Sequence, residues 1–391
     1  MNVLQVSPSP SYPPTSGGDH RTHGIVKSIP GTGDTVIRYA QRVPPSALFD
    51  GSYKQAVEIE KDYKEIRNVS FIENTSRILG IFKLPSSTLL QFYLRFNPTD
   101  TLTSLVQWAD IIIVEGPWQV QSIVEMTNDV PVLYSSHNVE FKHYNHLNSG
   151  ITKPLFKWVY RQEKNAVQMS DGIICVSERD LTQYRETWAI DSNTFIAPNA
   201  VYEDDLMMPS DQKNVARPDG VPENQTTCLF VGTDRAQNEQ AARTLVNLAP
   251  SFDGHLHIVI AGSVGKNFST TPSNVTTTGF VDALYPYYHH ADIALNPVTT
   301  GAGTNIKLLE YFANRVPVVS TPFGVRGYDV EDGYHVTVTS DSELLESAVE
   351  LSRSGKQQKQ QIEAGFEFVK TQTWSNVSAN LLSEIRSVFG V

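Results

Sequence analysis

A glycine-rich turn before a helical segment is the part of this sequence best suited to chemistry. Residues 297–310 read Pro-Val-Thr-Thr-Gly-Ala-Gly-Thr-Asn-Ile-Lys-Leu-Leu-Glu, and an apolar strand-like segment follows at 316–320. Glycine lets the backbone approach a ligand closely, and the unpaired N–H groups at a helix start attract anions, so the turn can bind a phosphate. Glu310 lies about one to two turns into the helix, where its carboxylate can accept hydrogen bonds from a ribose. An ordinary strand–loop–helix connection explains the glycines equally well.

Four further segments place small or polar residues at predicted strand ends. Gly17 and Gly18 open a helix after a proline-rich loop, which suits a diphosphate or a sugar. His137 follows an apolar strand, where a histidine can share protons with a reacting sugar. Arg235 can neutralise a leaving diphosphate, and the backbone at Val281 can pair with a nucleobase. Each also has a structural explanation: a capped surface loop, a structural histidine, an arginine solvated beside Asp234 and an ordinary strand end.

Length and composition predict a globular protein of two domains. The chain has 391 residues, 40% of them hydrophobic, and its net charge of −11 argues against a broad nucleic-acid-binding surface. We find no secretion signal and no apolar run as long as a membrane span, so we expect a cytoplasmic protein. Cys175 and Cys228 lie in apolar runs and are expected to be buried thiols.

The elements that must position these residues alternate between short apolar strands and amphipathic helices, which is typical of doubly wound α/β domains with parallel sheets. We predict a first domain over residues 1–202, a linker over 203–226 and a second domain over 227–373. The amphipathic segment 374–391 is either the last helix of the second domain or a helix that packs back on the first. Neither domain carries a Gly-x-Gly-x-x-Gly dinucleotide motif after its first strand, which disfavours a nicotinamide dehydrogenase.

In order along nearly the whole chain, these motifs resemble the retaining glycosyltransferases of family four. The resemblance implies the GT-B fold, an α/β architecture of two Rossmann-like doubly wound domains facing each other across a cleft. The motifs are Ser16-Gly17-Gly18, Ser136-His137-Asn138-Val139-Glu140, Ile173-Ile174-Cys175-Val176-Ser177-Glu178, Ala197-Pro198-Asn199-Ala200, Gly279-Phe280-Val281-Asp282, Ala291-Asp292-Ile293-Ala294-Leu295 and Gly303-Thr304-Asn305-Ile306-Lys307-Leu308-Leu309-Glu310.

The resemblance implies transfer of a sugar from a nucleotide-diphosphate donor to a glycan or lipid-linked acceptor, with retention at the anomeric carbon. Glu310 matches the second of the family's paired glutamates, which holds the ribose. His137 matches the histidine near the anomeric centre, and Arg235 roughly matches the arginine that stabilises the departing diphosphate. The remaining donor-binding positions are Gly17, Gly18, Val281, Gly303, Thr304 and the backbone amides of Asn305, Ile306 and Lys307.

Two departures from the family pattern concern charge. Ala302 stands where the first glutamate, which contacts the donor sugar, is expected. The lysine that normally follows the arginine is missing, because residues 237–248 contain none. We therefore expect Lys307 to supply the missing positive charge as a catalytic residue, together with His137 and Arg235.

The resemblance requires no cofactor beyond the nucleotide sugar, and no Asp-x-Asp ends an apolar strand, so no metal is expected. Residues 78–84 and 89–96 are unusually apolar and aromatic, which fits either a core helix or contact with the inner face of a membrane near a lipid-linked acceptor. Two other functions stay open at this point: a sugar-nucleotide epimerase, and a non-catalytic sugar-nucleotide-binding or scaffold protein that lost activity with the acid at position 302.

Overall fold

The computed structural model describes two compact units. Unit 1 consists of Met1–Asn199 with Trp374–Val391, and unit 2 consists of Ala200–Thr373. The described residues are 1–14, 16–30, 33–41, 55–68, 90–96, 98–148, 150–207, 215–301 and 304–391.

Unit 1 is built on an eight-stranded sheet with the strand order β3-β4-β2-β1-β5-β6-β7-β8, in which every neighbouring pair is parallel except β3 with β4. The strands are β1 (Asn2–Ser7), β2 (Thr35–Ala40), β3 (Ala56–Glu60), β4 (Tyr63–Arg67), β5 (Ile111–Glu115), β6 (Val132–Ser135), β7 (Gly172–Cys175) and β8 (Asn193–Ile196). The helices are α1 (Gly17–Gly24), α2 (Leu90–Phe96), α3 (Asp100–Trp108), α4 (Val120–Val124), α5 (Glu140–His143), α6 (Lys153–Met169) and α7 (Glu178–Thr187).

The central strands of unit 1 are apolar because helices cover both faces of a parallel sheet. All five residues of β5 are buried, and its neighbours β1 and β6 are buried almost throughout. The edge differs from the expectation of parallel strands, because β3 and β4 form an antiparallel hairpin there. Strand β3 is an exposed edge strand that alternates glutamates with apolar residues, and such short segments carry little signal.

Unit 2 has a six-stranded, fully parallel sheet with the order β11-β10-β9-β12-β13-β14. Its strands are β9 (Thr226–Val231), β10 (Leu256–Ala261), β11 (Val275–Thr277), β12 (Ile293–Asn296), β13 (Val318–Ser320) and β14 (Thr337–Val338). Its helices are α8 (Ala236–Leu248), α9 (Tyr285–His289), α10 (Ile306–Ala313), α11 (Leu344–Arg353) and α12 (Gly355–Thr371). The segment predicted as a linker belongs to this unit where it is described; for example, the Met207 amide donates to the Ala313 carbonyl oxygen.

The last helix, α13 (Trp374–Phe389), returns to unit 1. The Trp374 ring is buried against α1, where a Cβ on Gly24 would come within 2.0 Å of it. Arg386 pairs with Asp34, and the Ser28 amide donates to Ser378 Oγ over 3.0 Å. This helix therefore contributes part of the core of unit 1.

Of the stretches considered for membrane contact, residues 78–84 lie outside the described part of the chain. In the second stretch, Leu94 is buried in the core and Phe96 is exposed. Among the described residues, no helix is long and apolar enough to span a membrane.

Candidate functional site

In unit 1 the structure brings Gly18, which follows β1, together with His137, which follows β6, at the carboxyl edge of the sheet. His137 follows β6, and its Nε2 lies 2.6 Å from Oε2 of Glu115, the last residue of β5. A Cβ on Gly18 would lie 3.6 Å from His137 Nδ1, so the imidazole sits against the start of α1. A proton on Nε2 satisfies Glu115, which leaves Nδ1 beside the exposed Gly18.

Glu115 is a site residue that the sequence analysis missed. Its carboxylate is buried and also accepts a hydrogen bond of 2.6 Å from Gln5 Nε2. Burial acts to raise the pKa of Glu115, but the hydrogen bond and charge of His137, with the charge of Arg21, outweigh it and lower the pKa below its usual value. The available signal was a single acidic residue at the end of the apolar run Ile-Ile-Ile-Val-Glu.

A buried carboxylate accepts hydrogen bonds from the backbone of the segment after His137. Glu163 on α6 accepts hydrogen bonds of 2.7 Å from the backbone amides of Glu140 and Phe141 and from the Tyr184 hydroxyl. Burial raises the pKa of Glu163, and burial together with the nearby Glu163 charge raises the pKa of Glu140. The start of α5, and with it the loop that carries His137, is thus fixed by hydrogen bonds made inside unit 1.

In unit 2 the predicted phosphate-binding turn leads into the start of α10. Asn305 caps this helix, because its side-chain oxygen accepts from the Lys307 amide over 3.3 Å. Its Nδ2 donates to Asn296 Oδ1 at the end of β12 over 2.9 Å, which ties the helix start to the sheet. Thr304 and Ile306 flank the cap and are partly buried, whereas Gly303 lies outside the described residues, as does Ala302.

Glu310 and Lys307 lie one helical turn apart on α10 and interact electrostatically. The Tyr288 hydroxyl donates to Glu310 Oε2 over 3.3 Å, and burial raises the pKa of Glu310 against the opposing effect of Lys307. Burial also lowers the pKa of Lys307, with Glu310 acting to raise it and Arg326 to lower it. The electrostatic coupling places Lys307 near a second cation that the sequence analysis did not select.

That cation, Arg326, lies beside the glycine turn. Its guanidinium stacks on the Phe323 ring with 3.8 Å to the centroid, and Nη1 donates to the Phe323 carbonyl oxygen over 2.9 Å. A Cβ on Gly301, whose φ is +137°, would lie 3.3 Å from Arg326 Nη2. The segment follows β13, the neighbour of β12 in the sheet, so only the strand order reveals that Arg326 meets Gly301.

The remaining sequence-predicted residues of unit 2 lie in loops after its strands. Arg235 is exposed at the start of α8, whose Gln237 approaches the Cβ position of Gly301 to 3.8 Å. Its neighbour Asp234 forms an ion pair of 2.7 Å with Lys266, a lysine supplied by the loop after β10 instead of by α8. Val281 follows β11 in a partly buried position.

Within the described ranges, no three or more His, Cys, Asp and Glu side chains are grouped in a way that could hold a metal ion. The two cysteines are buried free thiols, as expected from the sequence.

Comparison with known proteins identifies the fold of the chain. Residues 225–354, from the start of the unit 2 sheet to α11, match the family model of group 1 glycosyl transferases. HepE of Anabaena, solved with UDP and glucose, has a TM-score of 0.69 at 12% identity over 99% of this chain and 100% of that chain. Sucrose-phosphate synthase of Thermosynechococcus elongatus has a TM-score of 0.68 at 13% identity over 100% and 99%. The chain has the GT-B fold.

A third GT-B structure, a trehalose-6-phosphate synthase studied for glycosyl transfer with retention, has a TM-score of 0.64 at 11% identity over 98% of this chain and 99% of that chain. No curated protein matches the chain by sequence. The predicted resemblance to GT-B glycosyltransferases is confirmed, while membership of family four stays a prediction.

Proposed function

We propose that this GT-B protein is a retaining glycosyltransferase that moves a sugar from a nucleotide-diphosphate donor to a glycan or lipid-linked acceptor. The observation that carries the proposal is the cluster at the carboxyl edge of the unit 2 sheet. There the Arg326 guanidinium lies beside Gly301, the capped helix α10 begins a few residues after that glycine, and the charge of Lys307 interacts with that of Arg326. Two cations and a helix N-terminus suit a diphosphate.

In this proposal the donor nucleotide lies on unit 2. The backbone amides of Asn305 and Ile306 at the start of α10 bind the diphosphate, and the Glu310 carboxylate accepts hydrogen bonds from the ribose hydroxyls. The positive charge of Lys307 and Arg326 stabilises the diphosphate as its bond to the anomeric carbon breaks. No metal is needed for that step, because the protein's own cations stabilise the leaving group. The proposed donor class agrees with the UDP bound in the Anabaena HepE structure.

For unit 1 we propose, from the resemblance, that His137 binds a hydroxyl of a sugar. Glu115 holds the imidazole ring through Nε2, so that Nδ1 is the atom left for a ligand. For retention, the acceptor oxygen forms its bond to the anomeric carbon on the face that the diphosphate leaves. The acceptor proton passes to the departing diphosphate oxygen, so that no carboxylate nucleophile is required.

The proposal is tested by thermal unfolding in the presence of UDP, UDP-glucose and other nucleotide-diphosphate sugars. A donor at about 100 times its Kd adds ~2.7 kcal/mol of stability. For a unit of this size, that corresponds to an upward Tm shift of about 5–10 °C. Release of the nucleoside diphosphate in the presence of a glycan or lipid-linked acceptor then measures transfer. Absence of a Tm shift with every nucleotide sugar would contradict the donor assignment, and binding without turnover would favour a non-catalytic protein.

The variant Arg326→Gln tests the site itself. Because hydrogen bonds to charged groups are worth about 1.5–3 kcal/mol, we expect donor Kd to rise about 10- to 100-fold. The matched control is Arg243→Gln in the same unit, whose guanidinium also lies over a phenyl ring, that of Phe268 at 5.4 Å, but on an exposed face of α8. If the wild type and Arg326→Gln bound the donor with equal affinity, and the Tm of the free protein were unchanged, Arg326 would not be part of the donor site.

A further inference from the structure

Helix α6 of unit 1 carries a stripe of basic side chains that the proposed reaction does not use. Lys153, Lys157, Arg161 and Lys164 occur at positions i, i+4, i+8 and i+11, which places them on one face of the helix. The first three are exposed and the fourth is partly buried. The opposite face of α6 is buried against the core through residues such as Val159 and Ala166, so the stripe points away from the core.

The charge of this basic stripe is not compensated within the described part of the chain. None of its four members forms an ion pair with another described residue. The segment 140–169 contains two acidic residues, Glu140 and Glu163. Glu163 accepts a hydrogen bond from the Glu140 amide, and burial raises the pKa of both carboxyl groups. The stripe therefore concentrates positive charge in a protein whose net charge is −11.

Aromatic side chains flank the stripe on both sides. Trp158 is 37% exposed on one side, next to the exposed Pro154, and Phe156 and Tyr160 are partly buried on the other. Tryptophan and tyrosine favour the boundary between lipid head groups and acyl chains, because each combines an apolar ring with a polar group. Basic residues with flanking aromatic rings are typical of helices that lie flat on a membrane surface.

We propose that α6 docks this protein on the surface of an anionic lipid bilayer. The lysine and arginine side chains contact the phosphate groups of the lipids, and the Trp158 ring enters the head-group layer. Charge complementarity favours this occupant, since a linear stripe on an exposed helix can face a plane of negative charge along its whole length. This membrane contact does not depend on the donor site, and it lies on α6 instead of on residues 78–84 and 89–96.

Co-sedimentation of the full-length protein with vesicles tests the charge requirement. We expect the protein to bind vesicles made of equal amounts of phosphatidylcholine and phosphatidylglycerol and not to bind vesicles of phosphatidylcholine alone. Added salt should release the bound protein. In Lys157→Gln/Arg161→Gln, partitioning should fall about 30-fold, since each basic residue near such a surface contributes ~1 kcal/mol. The control, Lys61→Gln/Lys356→Gln, changes the net charge equally at two exposed lysines outside the stripe and should bind like the wild type.

Tryptophan quenching by brominated phospholipids tests the orientation of the helix. The other four tryptophans are buried or partly buried, so quenching in the wild type should come from Trp158 and disappear in Trp158→Phe. Equal vesicle binding by the stripe variant and its control would overturn the proposal. Binding of the stripe to an acidic polypeptide, with no binding to anionic vesicles, would overturn it in favour of a protein partner.

Discussion

The pKa of Glu115 is lowered although burial acts to raise it, and His137 is the main reason. A buried carboxylate without a partner would take up a proton, because burial disfavours the charged form. Here the imidazole of His137 lies 2.6 Å from the carboxylate and Gln5 donates to its second oxygen, so that the net effect is a lowered pKa. The pair therefore links the position of a candidate sugar-binding residue to the stability of unit 1.

Replacement of Glu115 by glutamine keeps the shape and removes the charge. A group with a lowered folded-state pKa stabilises the protein fully above its unfolded-state pKa, and this contribution is lost as pH falls through the folded-state value. We therefore expect Glu115→Gln to lower the free energy of unfolding of unit 1 by about 2 kcal/mol at neutral pH, with a smaller difference in acid. Urea unfolding followed by tryptophan fluorescence measures it, because all five tryptophans lie in unit 1.

The exposed Glu125→Gln in the same unit is the control and should leave stability unchanged. If the loss in Glu115→Gln were the same at neutral and acid pH, altered packing and not charge would explain it.

At the residue scale, sequence reasoning could locate side chains whose position depends on one strand. His137 lies two residues after the end of β6 and Glu310 lies in α10, so the local pattern was enough to select both. Glu115, Lys266 and Arg326 acquire their relevance from a neighbouring strand or loop. Strand order is set by packing over long sequence distances, and no local spacing encodes it.

At the scale of elements, two segments of unit 2 fit together through glycines. Gly301 lets the turn after β12 approach Arg326, and Gly327 lets the loop after β13 approach Thr304. A Cβ on Gly327 would lie 2.3 Å from Thr304 Cγ2, and its φ of +87° is unfavourable for any other residue. The close approach of these segments is what sets Arg326 beside the start of α10.

Gly327→Ala should therefore cost about 2–4 kcal/mol, the sum of backbone strain and overpacking. The matched control, Gly333→Ala, has a φ of +77° with no atom within 4 Å of the added Cβ and should show only the backbone cost of ~1–2 kcal/mol. Removing the methyl group with Thr304→Ser should recover part of the loss in the double variant. Thermal unfolding followed by circular dichroism measures all four proteins, and equal losses at both glycines would contradict the packing explanation.

The alternation of strands and helices predicted the class of both sheets, but not the antiparallel hairpin at the edge of unit 1. Parallel strands are buried on both faces and are therefore continuous apolar runs, which can be recognised in the sequence, as in β5. Strand β3 is exposed and its residues alternate between glutamate and apolar types, so its formation depends on pairing with β4 and not on its own composition.

At the scale of the whole molecule, the chain leaves unit 1 at Asn199, forms unit 2 and returns at Trp374. The amphipathic pattern of 374–391 showed that this helix needs a partner surface but could not identify which unit provides it. In the structure, unit 1 provides that surface at Gly24, because only a residue without a side chain leaves space for the Trp374 ring. The stability of unit 1 therefore depends on residues far beyond its own continuous segment.

Gly24→Ala tests this dependence. The added Cβ would lie 2.0 Å from Trp374 Cδ2, so the ring must move and α13 must shift on α1. We expect a loss of about 1–3 kcal/mol in unit 1 from overpacking, together with faster hydrogen exchange in α13. Hydrogen exchange in unit 2 should be unchanged.

Gly355→Ala, at the open start of α12, is the control and should not destabilise either unit, because nothing lies within 4 Å of its Cβ position. If Gly24→Ala increased hydrogen exchange in unit 2 but not in α13, the packing of α13 would not depend on Gly24.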